Sequence, residues 1–364
     1  MDSGTKGVVG ACQTDPMTSD SALTALTDPG RSFIAGLPKA ELHVHHVGSA
    51  SPAIVARLAE RHPGTVPADP DRLADYFRFR DFAHFVEIYL SVVDLIRTGE
   101  DVRLLTYEVA AEMAAQNIRY AELTVTPYTS VLRGIPAEEF VEAIEDARVA
   151  AERDLGIVLR WIFDIPGELG LEGGDGTLRI ALDHGPGSLV GFGLGGPEIG
   201  VPRPQFKPYF DAARAAGLHS VPHAGETTGP ETIWDAIREL GAERIGHGTS
   251  AVQDPLLLAH LARHEIPVEV CPTSNVATGA VADLSKHPIV AMVEAGVRVT
   301  VNSDDPPMFA TTLNDEYGVA ARLLGLDDVG VGNLAKAAVR ASFAEGSVQE
   351  RLLTEIADYL AASS

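Results

Sequence analysis

Two histidines separated by a single residue end an apolar run near the start of the chain, in the segment Lys39-Ala-Glu-Leu-His43-Val-His45. Residues two apart on a β-strand point to the same face, so these two imidazoles would converge on one point. Neutral imidazoles are common zinc ligands, and two of them make half of a tetrahedral site. A His-x-His pair also occurs in protein cores without a metal, so this pair alone leaves both interpretations open.

Further candidate ligands end later apolar runs. One is His223, in the segment His223-Ala-Gly-Glu226, and another is Asp304, which begins the run Asp304-Asp-Pro-Pro. Three imidazoles and one carboxylate supply the nitrogen and oxygen donors that Zn²⁺ accepts, and they leave a position for water, whose pKa zinc lowers toward 7. The predicted ligands of a single zinc ion are therefore His43, His45, His223 and Asp304.

Three side chains beside these ligands suit proton transfer and substrate binding. Glu226 lies three residues after His223, near the metal without having to bind it, and suits proton delivery to a substrate. His247, between two glycines, is predicted to take a proton from the attacking water or to hold that water in place; the alternative is that it only ends a strand. Asp305 adjoins Asp304 and is predicted to hydrogen-bond the substrate, although an Asp-Asp-Pro-Pro run is usually a turn.

These residues need a scaffold that brings the ends of separate strands together. Between about residues 32 and 310, eight short apolar runs alternate with amphipathic stretches, which predicts an α/β fold, a (β/α)8 TIM barrel with its chemistry at the carboxyl ends of the strands. Helix-start signals such as Asp254-Pro255 and helix-end glycines such as Gly296 separate the runs. The predicted strands are Ala40–His46, Ile118–Thr126, Val158–Pro166, Ser188–Gly196, His219–Glu226, Glu243–Thr249, Ile266–Asn275 and Val297–Pro306.

The predicted organisation is one barrel domain over residues 32–364, preceded by a mobile tail, residues 1–31, that is rich in Gly, Ser, Thr, Asp and Pro. Residues 52–117 are too many for one crossover and predict extra helices between strands one and two, and more helices are expected after about residue 312. Aromatic residues cluster in this insertion, as local core or as a lid over the barrel mouth: Phe77, Phe79, Phe82, Phe85 and Tyr89.

Charge and composition exclude some classes of binding partner and indicate a cellular compartment. The formal charge of −23 at pH 7 argues against nucleic acid and anionic membranes, because phosphate binding needs a basic surface. The two cysteines, Cys12 and Cys271, are too few for a disulfide framework and fit a reducing compartment. No signal-like N-terminal stretch and no run of about 18 apolar residues is present, so a cytoplasmic protein is expected. The oligomeric state is not predicted by the sequence.

The run Gly191-Phe-Gly193-Leu-Gly195-Gly196 matches G-x-G-x-x-G, a pattern of dinucleotide-binding folds. That fingerprint requires a helix that begins inside it, but prolines follow here at Pro197, Pro202 and Pro204. The glycines are instead predicted to let backbone N–H groups approach a flat ligand closely.

Taken together, the motifs resemble the adenosine deaminase branch of the amidohydrolase superfamily. They occur in family order over roughly residues 33–345: Glu41-Leu-His43-Val-His45, Gly195-Gly-Pro-Glu198, His223-Ala-Gly-Glu226, Arg244-Ile-Gly-His247-Gly, Glu269-Val-Cys-Pro-Thr-Ser-Asn275 and Asn302-Ser-Asp304-Asp305-Pro. The resemblance implies one zinc ion per subunit on the four ligands above and hydrolytic loss of ammonia from C6 of a purine nucleoside. It further implies that Glu226 donates a proton to N1, that His247 lies beside the attacking hydroxide, that Asp305 contacts N7 and that the Gly196 N–H contacts N3.

One position departs from the family pattern. Members with adenosine as substrate continue Leu-Asp-Gly after the His-x-His, and that Asp holds the ribose 5′-hydroxyl, whereas this chain has His46-Val47-Gly48. The side chain of Val47 cannot accept a hydrogen bond, and a 5′-hydroxyl left unpaired beside it costs about 1–3 kcal/mol. Adenosine is therefore expected to be a poor substrate, and a nucleoside with a 5′ substituent a better one.

The sequence is more closely similar to the aminofutalosine deaminases, on phrases within residues 192–207 and 220–230. Their substrate carries an aryl ketone with a carboxylate at the 5′ end. Phe82 and Phe85 are expected to cover the aryl group, and Arg203, or equally Arg80, is expected to meet the carboxylate. The expected reaction converts 6-amino-6-deoxyfutalosine to futalosine and ammonia, a step of menaquinone biosynthesis. The alternatives are deamination of adenosine, adenine or another 5′-substituted adenosine, and a catalytically silent purine-binding protein.

Overall fold

Eight parallel strands form the centre of the protein in a computed structural model, which describes residues 28–64, 66–80 and 82–363. The strands hydrogen-bond in chain order, β1 to β8, so that each is the neighbour of the next. Their bounds are β1 Lys39–His45, β2 Ile118–Val125, β3 Val158–Pro166, β4 Leu189–Gly195, β5 His219–Ala224, β6 Ile245–His247, β7 Val268–Val270 and β8 Val299–Val301. The predicted eight-stranded barrel is confirmed, and the last three strands are shorter than predicted.

The first and last strands meet and close the barrel. Val44 forms a parallel bridge with Asp304, just beyond β8. The Asp304 N–H donates to the carbonyl of His43 over 3.1 Å, and the His45 N–H donates to the carbonyl of Asp304 over 2.9 Å. Closure therefore fixes one predicted ligand from the end of the chain against two from its beginning.

Helices surround the strands. They are α1 Asp28–Gly36, α2 Pro52–Arg61, α3 Pro70–Tyr76, α4 Phe82–Val93, α5 Gly99–Ala115, α6 Pro127–Leu132, α7 Ala137–Leu155, α8 Gly170–His184, α9 Lys207–Ala215, α10 Pro230–Glu239, α11 Pro255–His264, α12 Pro272–Ala277, α13 Ile289–Glu294, α14 Leu313–Leu324, α15 Asp328–Ala341 and α16 Gly346–Ser363. Helix α1 begins inside the segment predicted as a tail. Residues 1–27 lie outside the described residues, so their mobility stays a prediction.

Local signals explain where the helices begin. Asp254 caps α11 by accepting a hydrogen bond from the Leu256 N–H, as its Asp-Pro sequence predicts. The insertion between β1 and β2 contains α2 to α5, and Thr98 and Asp101 form a reciprocal capping box at the start of α5. The glycine-rich run ends β4 and is followed by a short 3₁₀ turn, Arg203–Phe206, so no helix begins inside it.

Side chains along β1 alternate between the apolar core and the site. Leu42 and Val44 are completely buried in the apolar shell between strands and helices, while His43 and His45 point the other way. Burial of each such side chain contributes about 1.5–3 kcal/mol, which holds the strand in the register that aims both imidazoles inward. Among the described residues, no helix is long and apolar enough to cross a membrane.

Candidate active site at the carboxyl ends of the strands

The four predicted ligands meet at the mouth of the barrel. The Nε2 atoms of His45 and His223 lie 3.3 Å apart. The Oδ1 atom of Asp304 lies 3.2 Å from Nε2 of His45 and 3.6 Å from Nε2 of His43. Nε2 of His43 is buried and has no hydrogen-bond partner among the described residues. Nitrogen and carboxylate donors that converge in this way fit a divalent cation such as Zn²⁺.

The charges around this cluster favour a cation. Burial lowers the pKa of His43, but the negative charges of Asp304 and Glu269 and the hydrogen bond to Glu269 outweigh it and raise the pKa to about 10. Burial opposes ionisation of Asp304, yet His43 and His45 hold its pKa well below the usual range. Protons on the histidines balance the negative charge of the carboxylates. A divalent cation competes with these protons for the same nitrogen and oxygen atoms.

Backbone geometry brings the ligands close. Asp304 and His247 both have left-handed conformations, with φ of 66° and 60°, which residues other than glycine seldom adopt. Such strain is typical of functional sites and requires support from surrounding contacts. Gly246 lies against His43, and a Cβ atom there would lie 2.9 Å from Cε1 of the ring. A side chain at position 246 would therefore displace the first predicted metal ligand.

An ionic network holds the other side of His43. Nδ1 of His43 donates to Oε2 of Glu269 over 2.8 Å, and Nε of Arg244 donates to Oε1 of the same carboxylate over 2.5 Å. Arg244 also pairs with Glu122 and donates to the carbonyl of Ala341. Sequence reasoning missed Glu122 and placed Arg244 and Glu269 only within motifs. The available signal was a charged residue inside an apolar run.

Glu226 is placed to hold a proton. Burial, followed by the charges of Asp304 and Glu198, raises its pKa to about 8, so the carboxyl is protonated at neutral pH. The Thr278 hydroxyl lies 3.1 Å from its Oε1 atom. Glu226 also lines a cavity of about 570 Å³ between the loops that follow β5, β6 and β7. A protonated carboxyl at the barrel mouth has the chemistry of a general acid.

His247 lies between Glu226 and the group of predicted metal ligands. Its Nε2 atom is 3.7 Å from Oε2 of Glu226 and 4.0 Å from Oδ2 of Asp304. Burial and the neighbouring charge of His43 lower its pKa to about 3, so the ring is neutral. His43, His247, Cys271 and Asp304 also form a group of adjacent donor atoms. Burial holds the pKa of the Cys271 thiol well above its usual range, which makes it a poor ligand.

Asp305 and Gly196 border the space in front of the cluster. Burial and the charge of Asp304 raise the pKa of Asp305 to about 7, and its Oδ1 atom is buried with no hydrogen-bond partner in the described part of the chain. A Cβ atom at Gly48 would overlap that oxygen, at 1.4 Å, so glycine is required there. Gly196 has a φ of 77°, and a side chain there would meet Oε2 of Glu168. The contact of these groups with a flat ligand stays a prediction.

The apolar wall consists of Val47, in the turn after β1, and a cluster of aromatic rings from the insertion and from the segment after β8. Val47, in the turn after β1, is half-buried and packs against the core. The rings of Phe79, Phe85 and Phe309 pack together, with centroids 5.1–5.9 Å apart. Phe82 begins α4, and its side chain lies outside the described residues. Phe309, which follows β8, was missed because nothing in the sequence links it to the insertion.

Arg203 lies in the 3₁₀ turn after β4 and contacts that loop and β5. Its side chain is fully buried, and its guanidinium donates to the carbonyls of Pro197, Val201 and His223 and faces Glu198. Those contacts tie the loop after β4 to β5. They give no support to a contact with a substrate carboxylate, which stays a prediction.

Comparison with known proteins agrees with this geometry. The sequence matches the family described as Adenosine deaminase over residues 38–359. It is 68% identical, over 91% of this chain and 93% of the relative, to the aminodeoxyfutalosine deaminase of Streptomyces avermitilis.

Two solved structures share the fold. The crystal structure of adenine deaminase from Arthrobacter aurescens aligns with a TM-score of 0.84 at 30% identity and covers 90% of this chain and 100% of that one. An amidohydrolase from Burkholderia ambifaria with bound Zn aligns with a TM-score of 0.84 at 24% identity, over 93% of this chain and 95% of that one, a likeness of fold alone. The predicted resemblance is confirmed: the chain belongs to the adenosine deaminase family.

Proposed function

We propose that this protein hydrolyses the 6-amino group of 6-amino-6-deoxyfutalosine, giving futalosine and ammonia. The observation that carries the proposal is the high identity to the aminodeoxyfutalosine deaminase of Streptomyces avermitilis over nearly the whole chain. The predicted metal ligands and the predicted proton donor lie close together at the carboxyl ends of the strands, which supports the proposal. The reaction adds the oxygen of water to C6 and releases the amine as ammonia, which leaves a 6-oxopurine.

One zinc ion per subunit is assigned to the side chains of His43, His45, His223 and Asp304. When bound there, zinc lowers the pKa of a water molecule toward neutrality and so makes a nucleophile available at neutral pH. The convergence of Nε2 atoms around a carboxylate supports this assignment, as does the buried Nε2 of His43, which has no hydrogen-bond partner in the described ranges. The ionic network behind His43 orients its ring, as hydrogen-bonded carboxylates do for metal-binding histidines.

Residues on the other side of the space bind and protonate the purine. Glu226, protonated at neutral pH, donates to N1 and makes C6 more electrophilic. Asp305 contacts N7 through its unpartnered oxygen, and the Gly196 N–H contacts N3. His247 contacts the attacking oxygen, a role that its position between Glu226 and Asp304 supports. These groups act on the ring itself and do not depend on what the sugar carries.

The sugar's 5′ end is assigned to the apolar wall. Val47 offers no hydrogen-bond acceptor in its side chain, and the packed rings of Phe79, Phe85 and Phe309 present only apolar atoms. Such a surface suits an aryl group and leaves a free 5′-hydroxyl unpaired. Adenosine therefore loses about 1–3 kcal/mol of binding relative to a 5′-aryl nucleoside.

A panel of substrates on zinc-loaded protein tests the proposal. Loss of the adenine absorbance is followed with 6-amino-6-deoxyfutalosine, adenosine, adenine and 5′-methylthioadenosine. A strong preference for the first supports both the chemistry and the apolar 5′ wall. Faster turnover of adenine would favour the activity named for the structural relative from Arthrobacter aurescens. No turnover of any of the four, with zinc bound, would refute the substrate assignment.

Substitution of Val47 tests the 5′ wall separately. Val47→Asp introduces an acceptor for a 5′-hydroxyl and a charge beside the aryl group. We expect kcat/KM for adenosine relative to 6-amino-6-deoxyfutalosine to rise by about 5- to 150-fold, which corresponds to the 1–3 kcal/mol of an unpaired hydroxyl. Val47→Leu, which stays apolar, is the matched control. An unchanged preference in Val47→Asp would place the 5′ selection elsewhere.

A further inference from the structure

Three buried hydrogen bonds lead away from His247 and end on the backbone. The Ile289 N–H donates to Nδ1 of His287 over 3.2 Å. Nε2 of His287 lies 3.2 Å from Oδ1 of Asn275, and Nδ2 of Asn275 lies 2.9 Å from Nδ1 of His247. His247, Asn275 and His287 are all nearly inaccessible to solvent, so each ring and amide depends on these partners.

The direction of every hydrogen bond in this series follows from the backbone N–H with which the series ends. A backbone N–H only donates, so Nδ1 of His287 accepts and carries no proton. The proton of the His287 ring must then be on Nε2, which donates to Oδ1 of Asn275. That contact fixes the amide, and its NH₂ group faces His247 and donates to Nδ1. The reversed amide would require His287 to accept at both nitrogens, and an imidazole with no proton is not available in a protein.

We propose that Asn275 and His287 are positioning residues that hold His247 in the tautomer with its proton on Nε2. This N–H points into the space between Oε2 of Glu226 and Oδ2 of Asp304, at 3.7 and 4.0 Å. Since Nδ1 already accepts from the Asn275 amide, neither nitrogen of the neutral ring has a free lone pair. His247 therefore holds the attacking oxygen by donating a hydrogen bond and does not take a proton from it. It is also excluded as a metal ligand through Nε2.

This role for His247 in the reaction rests on the proposed deamination, but its tautomer does not. The ring nitrogens of a ¹⁵N-histidine-labelled protein distinguish the two neutral tautomers directly, whether or not any substrate is turned over. The signal of His247 is assigned by its loss in His247→Gln. We expect the proton on Nε2 in the zinc-loaded wild-type protein. A proton on Nδ1 would overturn the proposal.

Asn275→Asp tests this series of hydrogen bonds with little change in the shape of the side chain. A carboxylate only accepts, so it takes hydrogen bonds from Nε2 of His287 and from Nδ1 of His247, and the tautomer of His247 is inverted. An inverted tautomer of a catalytic histidine costs up to about 10⁴-fold in kcat in the Ser-His-Asp enzymes, so we expect a loss of about 10²- to 10⁴-fold here. Zinc content and KM are expected to change little, because the purine and metal contacts remain. An unchanged kcat with an inverted tautomer, or an unchanged tautomer, would refute the proposal.

Two further variants separate positioning from structure. His287→Gln keeps a donor that reaches Oδ1 of Asn275, and we expect it to retain the Nε2–H tautomer and most of the activity. His287→Leu leaves the amide free to turn, and we expect a mixture of tautomers and an intermediate kcat. Asn333→Asp, the same substitution at an exposed position on α15, is the matched control for the added charge. Equal losses in His287→Gln and His287→Leu would mean that only packing at this position matters.

Discussion

His43 and His247 lie side by side, with ring centroids 4.6 Å apart, yet they are held in opposite ways. The partner of His43 is a carboxylate, which can only accept, so Nδ1 carries a proton and Nε2 is the nitrogen left to offer its lone pair to a metal. The partner of His247 is an amide, which donates, so the ring proton faces the site. The hydrogen-bond partner of each imidazole therefore decides whether the ring offers a lone pair to a metal or a proton to an oxygen.

The two supports also differ in charge. Behind His43 stand Glu269, Arg244 and Glu122, all almost completely buried, and removal of one member of such a network costs about 3–5 kcal/mol because it leaves a buried charge unpaired. Behind His247 stand two neutral groups and a backbone N–H, where loss of one bond costs about 1–3 kcal/mol. Metal binding and proton placement therefore depend on separate sets of side chains, and substitutions should affect one without the other.

The largest expected effect comes from Glu226. In Glu226→Gln the side chain keeps its size but cannot give up a proton, and kcat is expected to fall by about 10²- to 10⁴-fold. Zinc affinity should remain near that of the wild type, since Glu226 is outside the predicted ligand set. Steady-state assays measure kcat, and metal analysis of the same preparation measures bound zinc. Near-normal turnover would remove Glu226 from the mechanism, and loss of zinc would break the separation between the two parts of the site.

The next largest effect is expected at Glu269. In Glu269→Gln the amide oxygen still accepts from Nδ1 of His43, but the negative charge that favours a cation is lost. We expect zinc affinity to fall by about 10- to 100-fold, measured by competition with a chelator. In zinc-saturated protein, kcat should recover to near the wild-type value. Glu265→Gln, in an exposed ion pair with Arg298, is the matched control, and equal zinc affinity in the two variants would contradict the ionic support of His43.

Much of the site was predictable because barrel chemistry gathers at strand ends. His43, His45, His223 and Asp304 each end or follow a predicted strand, and strand closure brings them together. The strands themselves follow from their apolar runs, although β6 to β8 are only three residues each because the polar site residues at their ends leave the regular ladder.

The supports of the site were not predictable in the same way. Glu269 and Asn275 lie on or after one strand but serve rings on two different strands, and only the folded geometry pairs them. His287 belongs to a loop that carries no strand signal, and its direction of hydrogen bonding depends on the Ile289 N–H. The buried guanidinium of Arg203 donates to backbone carbonyls, contacts that its charge and sequence position did not predict. Charge and spacing predict which chemistry is present, but not which neighbour uses it.

A smaller effect is expected from Arg244→Lys. The guanidinium reaches Glu269 and Glu122 at once, whereas an ammonium group is a point charge that favours one of them. Zinc affinity should fall by less than about tenfold, because Glu269 keeps its charge and its contact with His43. The urea midpoint should also fall. Arg298→Lys, at the exposed pair, is the control; a loss of zinc affinity as large as that of Glu269→Gln would mean that Arg244, not the carboxylate, decides the orientation of His43.

The smallest expected effect is at Thr278, on the neutral side of the site. Its hydrogen bond to Glu226 lowers the pKa of that carboxyl, although burial keeps the pKa raised overall. In Thr278→Val the pKa should rise further. Since Glu226 acts in its protonated form, activity is lost as the pH rises through this pKa, and the alkaline limb of the kcat profile should move to higher pH by a fraction of a unit. Zinc affinity should not change, because the ionic network behind His43 is untouched. A shift to lower pH would show that Thr278 stabilises the protonated carboxyl, and a change in zinc affinity would show that the two sides of the site are coupled after all.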